Sequence, residues 1–574
     1  MDPDEDEHIH PGQEDVELSN VKICKPTTKG NKLVNQARKM VKHESVCSNF
    51  CGGKKCKYCT VDSWSSDDQA IKGLYSHWIT DNILAMARPT NEAIEKYQIL
   101  DQFLKKGIKT VINLQQPGEH ANCGPGNDQT GFSYNSQKLM EKGMFFYNFG
   151  WDDFGVGSVT LLLDIVKVMQ FSLSEGKVAV HCHAGLGRTG LLIACYLVFN
   201  NRLLPDRAVN YIRSKRPGSI QTVHQVQMVT DFEMYIQPFR AIFANNSESE
   251  FTLQQHLNRQ IRIIHGFEAR KLKYIPKIVY VCCERLLELA NCGNSLNRSQ
   301  SFTSLQSRRS LSASAAGSPD ISRSMETLRV ENPQIKTFVC PVKKKISVTL
   351  SHGNSLSDSI SEKTSSISSD SQSVESLDGY DQLDIIGGSD GANCSPECNQ
   401  VGDALMMCEF PEDILQKVEE YKKELNKTDE AWKMLGRETD PCVIAAVLWE
   451  WLNHLREPIL HKQDLKHIKD DADKPLQALL KMDKGTKSVI EYLAKVVVKL
   501  DSLPRSKLDN ITEIILSHIT HQAVHVKTHS MQNKILQQKE HWQAMRGKTA
   551  MRLFYFFQKL MESLQESGAI TRRY

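Results

Sequence analysis

The sequence has no apolar run long enough to cross a membrane and no large excess of charge of one sign. Its longest apolar stretches, at 161–171 and 191–199, fall short of the roughly 20 residues that a transmembrane helix needs. Lys and Arg together number 71 and Asp and Glu 68, so the net charge of +3 gives no strong field that would attract nucleic acid or an anionic surface. We therefore expect no membrane span and no nucleic-acid partner.

Signals of secretion are also missing. Residues 1–15 are acidic and lack the apolar segment of a secretory signal peptide. The 16 cysteines are scattered over a long chain without a repeating spacing, which favours reduced thiols over a disulfide framework. These features predict a soluble, cytoplasmic protein.

Composition divides the chain into six segments. Serine supplies 24 of the 90 residues at 291–380, where aromatic residues are nearly absent, so this stretch cannot bury enough apolar surface to fold. Residues 76–240 alternate short β-branched runs with helical patterns, which is typical of an α/β domain with a central sheet flanked by helices. The predicted segments are an acidic, mostly disordered N-terminus (1–44), an irregular cysteine-rich lead-in (45–75), the α/β domain (76–240), a helical extension packed against it (241–292), a serine-rich disordered linker (293–405) and a separate all-helical C-terminal domain (406–570).

The most informative stretch is VAVHCHAGLGRTG at 178–190, which joins a predicted strand to a predicted helix. Gly185 and Gly187 allow the loop to curl so that successive backbone N–H groups point inward, which forms an anion-binding nest at a helix N-terminus. That field favours the thiolate form of Cys182, and Arg188 offers two parallel donors to phosphate oxygens. The pattern predicts a phosphate site with Cys182 as the nucleophile.

The residues after Cys182 are predicted to bind the substrate phosphate. They are His183, Ala184, Gly185, Leu186, Gly187 and Thr189. We expect the Thr189 hydroxyl to donate a hydrogen bond to the thiolate, which would ease its departure from a phosphocysteine intermediate.

This loop resembles that of the cysteine-dependent protein tyrosine phosphatases, whose chemistry needs a proton donor for the leaving group. The segment FGWDDFG at 149–155 resembles the acid-bearing loop of compact dual-specificity enzymes, in which the second acidic position is the usual acid. We therefore predict Asp153, rather than Asp152, as the catalytic acid. The alternative is a solvated turn in which the two carboxylates have an N-cap role and no catalytic part.

A further segment, RPGSIQTVHQ at 216–225, resembles one in the mitotic-exit dual-specificity phosphatases that carries a glutamine near the active site. Gln221 or Gln225 would then position the water that hydrolyses the intermediate. The alternative is a Pro-Gly helix cap followed by surface glutamines.

Four segments together resemble the protein tyrosine phosphatase domain-containing protein 1 family. They are ILAMARP at 83–89, GIKTVINLQQPGEH at 107–120, YNFG at 147–150 and HCHAGLGRTG at 181–190. The resemblance covers roughly residues 45–290 and reappears around 432–459. It implies a dual-specificity-type phosphatase fold without metal or other cofactor, a role in cilium formation or maintenance, and association with the cilium or centrosome.

The leading functional prediction is a protein phosphatase that hydrolyses phosphotyrosine through a phosphocysteine intermediate. Whether phosphoserine and phosphothreonine are also substrates depends on pocket depth, which the sequence leaves open. One alternative is a catalytically weak phospho-binding scaffold. Another is a phosphoinositide phosphatase, but related lipid phosphatases carry lysines in the loop where this chain has His183 and Leu186. A phosphoprotein substrate is therefore favoured.

Two weaker patterns remain. Cys47, Cys51, Cys56 and Cys59 lie within thirteen residues and offer four thiolates to zinc, but structural zinc sites usually place a longer loop between two close pairs. Packed, reduced cysteines are the stronger expectation, and zinc stays open. Residues 446–460 faintly resemble a helix of Rho-GTPase-activating domains, but without a matching arginine finger. We predict instead a helical domain that binds another protein, with Trp449 and Trp451 in its core or interface.

Overall fold

The computed structural model describes residues 52–244, 249–292, 394–526 and 541–571. The predicted N-terminus, Cys47, Cys51 and residues 293–393 of the predicted linker lie outside the described residues. In the described part, no helix combines the length and the apolar character that a bilayer span requires.

A mixed sheet of five strands forms the centre of the first domain, with the strand order β1-β2-β5-β3-β4. The strands are β1 (Ser76–Thr80), β2 (Ile83–Met86), β3 (Ile108–Asn113), β4 (Phe145–Asn148) and β5 (Lys177–His181). Strand β1 is antiparallel to β2, and the other pairs are parallel. The register pairs His181 with Met86 and Asn113, and Asn113 with Asn148. The four parallel strands therefore end together, and the loops that follow them share one edge of the sheet.

Seven helices accompany this sheet: α1 (Asn91–Tyr97), α2 (Ile99–Lys105), α3 (Gln137–Glu141), α4 (Val159–Glu175), α5 (Gly187–Asn200), α6 (Pro205–Lys215) and α7 (Val223–Ile236). Helix α5 is buried from Gly187 to Val198, which accounts for its continuous apolar sequence LLIACYLV. Helices α1 and α2 are separate, because Gln98 adopts a left-handed φ of 51° between them.

The remaining helices build a second hydrophobic core. They are α8 (Leu253–Ile263), α9 (Gly266–Lys271), α10 (Lys277–Leu289), α11 (Pro396–Met406), α12 (Glu412–Lys427), α13 (Glu430–Arg437), α14 (Pro441–Asn453), α15 (Lys462–Asp470), α16 (Pro475–Leu480), α17 (Lys484–Lys499), α18 (Arg505–Thr520) and α19 (Gly547–Thr571). Trp449 and Trp451 are both buried in this core, as expected.

The helical extension at 241–292 is predicted to pack against the α/β domain, but its buried side chains face the C-terminal helices. The buried residues of α8 and α10 belong to the same core as the C-terminal helices, and α10 packs against α14. The apolar face of α10, which includes Ile278, Cys282 and Leu286, is covered by helices more than a hundred residues away in sequence. An amphipathic pattern shows that a face is buried, but not which element covers it.

The predicted linker at 293–405 extends too far at its C-terminal end. Helix α11 starts at Pro396, is capped by the Ser395 side chain and buries Val401 and Leu405 in the second core. The helical domain therefore begins before residue 406.

Candidate active site

The loop between β5 and α5 has the shape of an anion nest. Gly185 has a φ of 68°, and a Cβ there would lie 2.0 Å from the carbonyl oxygen of Met86, so only glycine fits. The buried guanidinium of Arg216 donates to the carbonyl oxygens of Gly185 (2.7 Å) and Ala184 (3.0 Å). Because a trans peptide points its C=O and N–H in opposite directions, the N–H groups that follow these carbonyls face away from Arg216, into the loop.

His181 supports this loop from below. Its Nδ1 lies 3.0 Å from the Cys182 carbonyl oxygen, and its Nε2 lies 2.7 Å from the Tyr134 hydroxyl. Complete burial lowers the pKa of His181 to about 4, so the ring is neutral near pH 7. A neutral ring donates to the Cys182 carbonyl and accepts from Tyr134, which fixes the start of the loop.

Arg188 is buried and held by groups from two neighbouring loops. Its Nη1 donates to the carbonyl oxygens of Leu114 (2.9 Å) and Trp151 (2.6 Å). The carboxylate of Glu119 accepts from Nη1 at 3.0 Å and from Nη2 at 2.7 Å. The Nε of Arg188 is buried and has no hydrogen-bond partner. An unpaired buried donor is costly, and a phosphate oxygen in the nest would satisfy it.

The Glu119 carboxylate is a site residue that sequence reasoning missed. It lies in the QQPGE segment directly after β3, at the sheet edge where β5 delivers Cys182. A carboxylate just beyond a parallel strand, in the same fold as a C-x5-R loop, is the signal that would have identified it.

Asp153 lies against Arg188, whereas Asp152 is exposed. One carboxylate oxygen of Asp153 is 3.1 Å from Arg188 Nη2, and the other is 3.1 Å from His120 Nε2. Burial raises the pKa of Asp153, but the opposing effects of Arg188 and the His120 hydrogen bond are together larger, so the pKa lies below its usual range. The carboxylate is therefore ionised in the unliganded protein. Asp152 has only Gln116 Nε2 as a side-chain partner, at 3.3 Å.

Gln221 and Gln225 both approach the base of the nest. A Cβ at Gly187 would meet the Gln221 side-chain oxygen at 2.9 Å and the Gln225 side-chain nitrogen at 3.1 Å. Gln225 is completely buried and donates to the Gly155 carbonyl oxygen at 3.4 Å. The alternative of surface glutamines is therefore wrong for Gln225, which bridges the nest and the loop that carries Asp153.

Two predicted loop contacts differ in the structure. The Thr189 hydroxyl is buried without a hydrogen-bond partner, so the expected bond to the Cys182 thiolate is not formed here. The His183 ring stacks on His120 with centroids 3.7 Å apart, and its Nε2 lies 3.6 Å from Cys56 Sγ. The His183 side chain is thus engaged by neighbouring segments, and its backbone is the part that belongs to the nest. The Leu186 side chain is buried.

Metal-ligating side chains also meet beside this loop. Within the part of the chain that the structure describes, Cys56, Cys123 and His183 form one group whose ligand atoms all lie within 4.8 Å of one another. Cys56 is the single member that comes from the predicted four-cysteine cluster, in which Cys47 and Cys51 are not described.

The chain resembles known phosphatases over this domain and beyond. A family model described as "Polymorphic toxin system, DSP-PTPase phosphatase" matches residues 84–202, from β2 to the end of α5. The protein tyrosine phosphatase domain-containing protein 1 of Mus musculus is 54% identical over 269 residues, which are 46% of this chain and 36% of that protein. The protein of the same name from Danio rerio is 31% identical over 649 residues, covering 88% of this chain and 91% of that protein. The tyrosine-protein phosphatase CDC14 homolog of Schizosaccharomyces pombe is 28% identical over 156 residues, covering 25% and 26%.

These matches differ in how much of each relative they cover. The match to the mouse protein spans only about a third of that protein's length, whereas the match to the zebrafish protein spans nearly all of it. Because the match to the zebrafish protein covers 88% of this chain and 91% of that protein, this chain belongs to the protein tyrosine phosphatase domain-containing protein 1 family, with a phosphatase domain of the dual-specificity type.

Proposed function

We propose that this chain is a protein phosphatase that hydrolyses phosphotyrosine through a phosphocysteine intermediate on Cys182. The observation that carries the proposal is the position of Arg188. Its guanidinium contacts the carboxylates of Glu119 and Asp153 while its Nε stays buried and unpaired beside the nest. A bound phosphate would complete this set of charges and donors.

In the first step the thiolate of Cys182 attacks phosphorus, the S–P bond forms and the bond to the leaving oxygen breaks. The inward N–H groups of the nest and Arg188 stabilise the charge on the equatorial oxygens. Asp153 gives its proton to the leaving oxygen, although it is ionised in the unliganded protein. The substrate phosphate engages Arg188, and its negative charge raises the pKa of the nearby Asp153, which takes up a proton from solvent before it acts as the acid.

In the second step water attacks the phosphocysteine and the S–P bond breaks. Asp153 now accepts the proton of the attacking water, inorganic phosphate leaves and the thiolate is regenerated. Gln225 lies between the nest and the Asp153 loop, which supports a role for Gln225 and Gln221 in orienting this water.

A phosphoprotein is favoured over a phosphoinositide because the nest carries no cationic side chain besides Arg188. Leu186 is apolar and buried, and the His183 side chain faces Cys56. Burial lowers the pKa of His183, so this ring is mainly neutral near pH 7. A polyanionic headgroup would therefore meet little additional positive charge. Phosphoserine and phosphothreonine are included in the proposal as secondary substrates.

The cellular role is proposed from family membership alone: a part in cilium formation or maintenance, in the cytoplasm at the cilium or centrosome. The helical domain is proposed to bind another protein. Its support is three exposed apolar side chains on the packed helices α16 and α19, namely Leu476, Leu480 and Met551 at 53%, 72% and 60% exposure.

The test uses the full chain and the Cys182→Ser variant with phosphopeptides and phosphoinositides. Release of phosphate from phosphotyrosine peptides, lost in Cys182→Ser while peptide binding remains, would support the proposal. Binding of phosphopeptides by the wild type without any turnover would instead establish a scaffold. Faster turnover of phosphoinositides than of any phosphopeptide would contradict the substrate class.

A further inference from the structure

The lead-in segment before the sheet touches the catalytic loop through a group of thiols. Cys56 and Cys123 are completely buried and His183 is 5% exposed. Cys56 Sγ lies 3.6 Å from His183 Nε2, and the ligand atoms of all three residues lie within 4.8 Å of one another. Two thiols and one imidazole nitrogen therefore converge beside the loop that carries Cys182.

Cys59 lies next to this group. The turn that connects it to Cys56 is tight, since the Cys59 N–H donates to the Cys56 carbonyl oxygen at 2.9 Å. On the other side, a Cβ at Gly124 would lie 3.1 Å from Cys59 Sγ, so the backbone after Cys123 packs directly on this sulfur.

We propose that Cys56, Cys59, Cys123 and His183 bind one zinc ion in a closed tetrahedral site. Three thiolates and an imidazole are a ligand set that zinc prefers, and a C-x2-C turn is a usual source of two of them. With Zn–S near 2.3 Å and Zn–N near 2.0 Å, tetrahedral geometry places a sulfur and a nitrogen roughly 3.5 Å apart. The Cys56–His183 distance of 3.6 Å already fits this value.

The charge of such a site is compensated locally. Three thiolates and Zn²⁺ leave one negative charge, which is costly in a buried position without a partner. The buried guanidinium of Arg88 donates to the Cys123 carbonyl oxygen at 2.9 Å and to the His120 carbonyl oxygen at 3.0 Å. Arg88 is thus held beside the thiols and balances the charge.

The role of this ion is structural. All four positions are taken by side chains, so none is open for a water or a substrate. The ion joins the lead-in turn, the loop at Cys123 and the catalytic loop at His183. His120 stacks on His183 and also contacts Asp153, so the site positions the loops of both Cys182 and Asp153.

The test measures bound metal in the full chain, purified without contact with immobilised metal. Elemental analysis should find one zinc equivalent fewer in each of Cys56→Ser, Cys59→Ser and Cys123→Ser than in the wild type. Cys442→Ser is the matched control, since this half-buried thiol contacts Met407 in the helical domain, and its zinc content should equal that of the wild type. The zinc content of each variant is compared with that of the wild type, and the absolute content is not used. The reason is that Cys292 and Cys398, 3.8 Å apart, form another pair of thiols that can take up metal.

Cobalt substitution in the wild type tests whether the chain binds a metal ion through thiolates, even where a variant fails to fold. Tetrahedral Co²⁺ bound by three thiolates should give strong thiolate-to-metal absorption. A wild-type chain that holds no zinc and takes up no cobalt would overturn the proposal, and so would zinc content unchanged in folded Cys56→Ser and Cys123→Ser. Unchanged zinc in Cys59→Ser alone would overturn the assigned ligand set. None of these readouts depends on phosphatase turnover.

Discussion

Asp153 lies 3.1 Å from the guanidinium of Arg188, while the adjacent Asp152 points to solvent. The two carboxylates point in different directions within a loop in which Phe154 adopts a left-handed φ of 57°, a value that is uncommon for a bulky residue. The loop thereby turns one of two neighbouring carboxylates into the site. In the unliganded protein this carboxylate is ionised. Under the proposed mechanism, the phosphate of the substrate displaces it from Arg188 before it serves as the acid.

The first prediction concerns this carboxylate. Asp153→Asn should slow the hydrolysis of phosphopeptides by about 10²–10⁴-fold, because their leaving groups need a proton. An activated aryl phosphate should be affected much less, and the alkaline limb of the pH profile of kcat/KM should disappear. Steady-state kinetics with both substrates measure this. Asp152→Asn is the matched control, and a larger defect in that variant would show that the acid is Asp152.

The second prediction concerns Glu119, which positions Arg188. Glu119→Ala leaves Arg188 Nη2 with Asp153 as its remaining charged partner, so Asp153 should be held more tightly and kcat/KM should fall about ten- to a hundredfold. Glu119→Gln should recover part of the loss, since its amide oxygen still accepts one hydrogen bond. Glu141→Ala, an exposed carboxylate on α3, should behave as wild type. A folded Glu119→Ala protein with unchanged kcat/KM would refute this role.

The third prediction concerns the pH dependence of stability. Burial lowers the pKa of His181 to about 4, whereas in the unfolded chain it returns to about 6.5. The unfolded state therefore binds a proton more readily than the folded state. The contribution of His181 to the free energy of unfolding is full above pH 6.5 and decreases by about 3 kcal/mol in total as the pH falls toward 4. Hydrogen exchange of the β5 amides at several pH values measures the change. It should be smaller in His181→Asn and unaltered in the exposed control His224→Asn; equal pH slopes for wild type and His181→Asn would count against the prediction.

The fourth prediction concerns the domain boundary. A chain that ends at residue 292 keeps α8–α10 but loses the helices that cover Ile278, Cys282 and Leu286, so it should aggregate. A chain that ends at residue 241 omits these helices and should stay monomeric. Light scattering during size-exclusion chromatography distinguishes the two outcomes. A monodisperse chain that ends at residue 292 would show that the extension is stable without the C-terminal helices.

By itself the sequence determined the catalytic loop, because every feature of that loop is local. A β-branched strand, two glycines, a cysteine, an arginine and a helix follow one another within 178–190, and backbone geometry converts their order into a nest. The α/β class and the helical character of the C-terminal part also followed from local periodicity.

Tertiary structure alone decided which distant side chains reach that loop. Glu119 and His120 lie near the catalytic loop because β3 and β5 are parallel neighbours that end together. The sequence of either strand does not reveal which strands are neighbours in the sheet. Cys56 meets His183 across 127 residues of sequence, so a search for closely spaced cysteines does not find this contact. The helices at 253–289 likewise join the C-terminal core, because burial of an apolar face depends on the surfaces available in the folded chain and not on proximity in sequence.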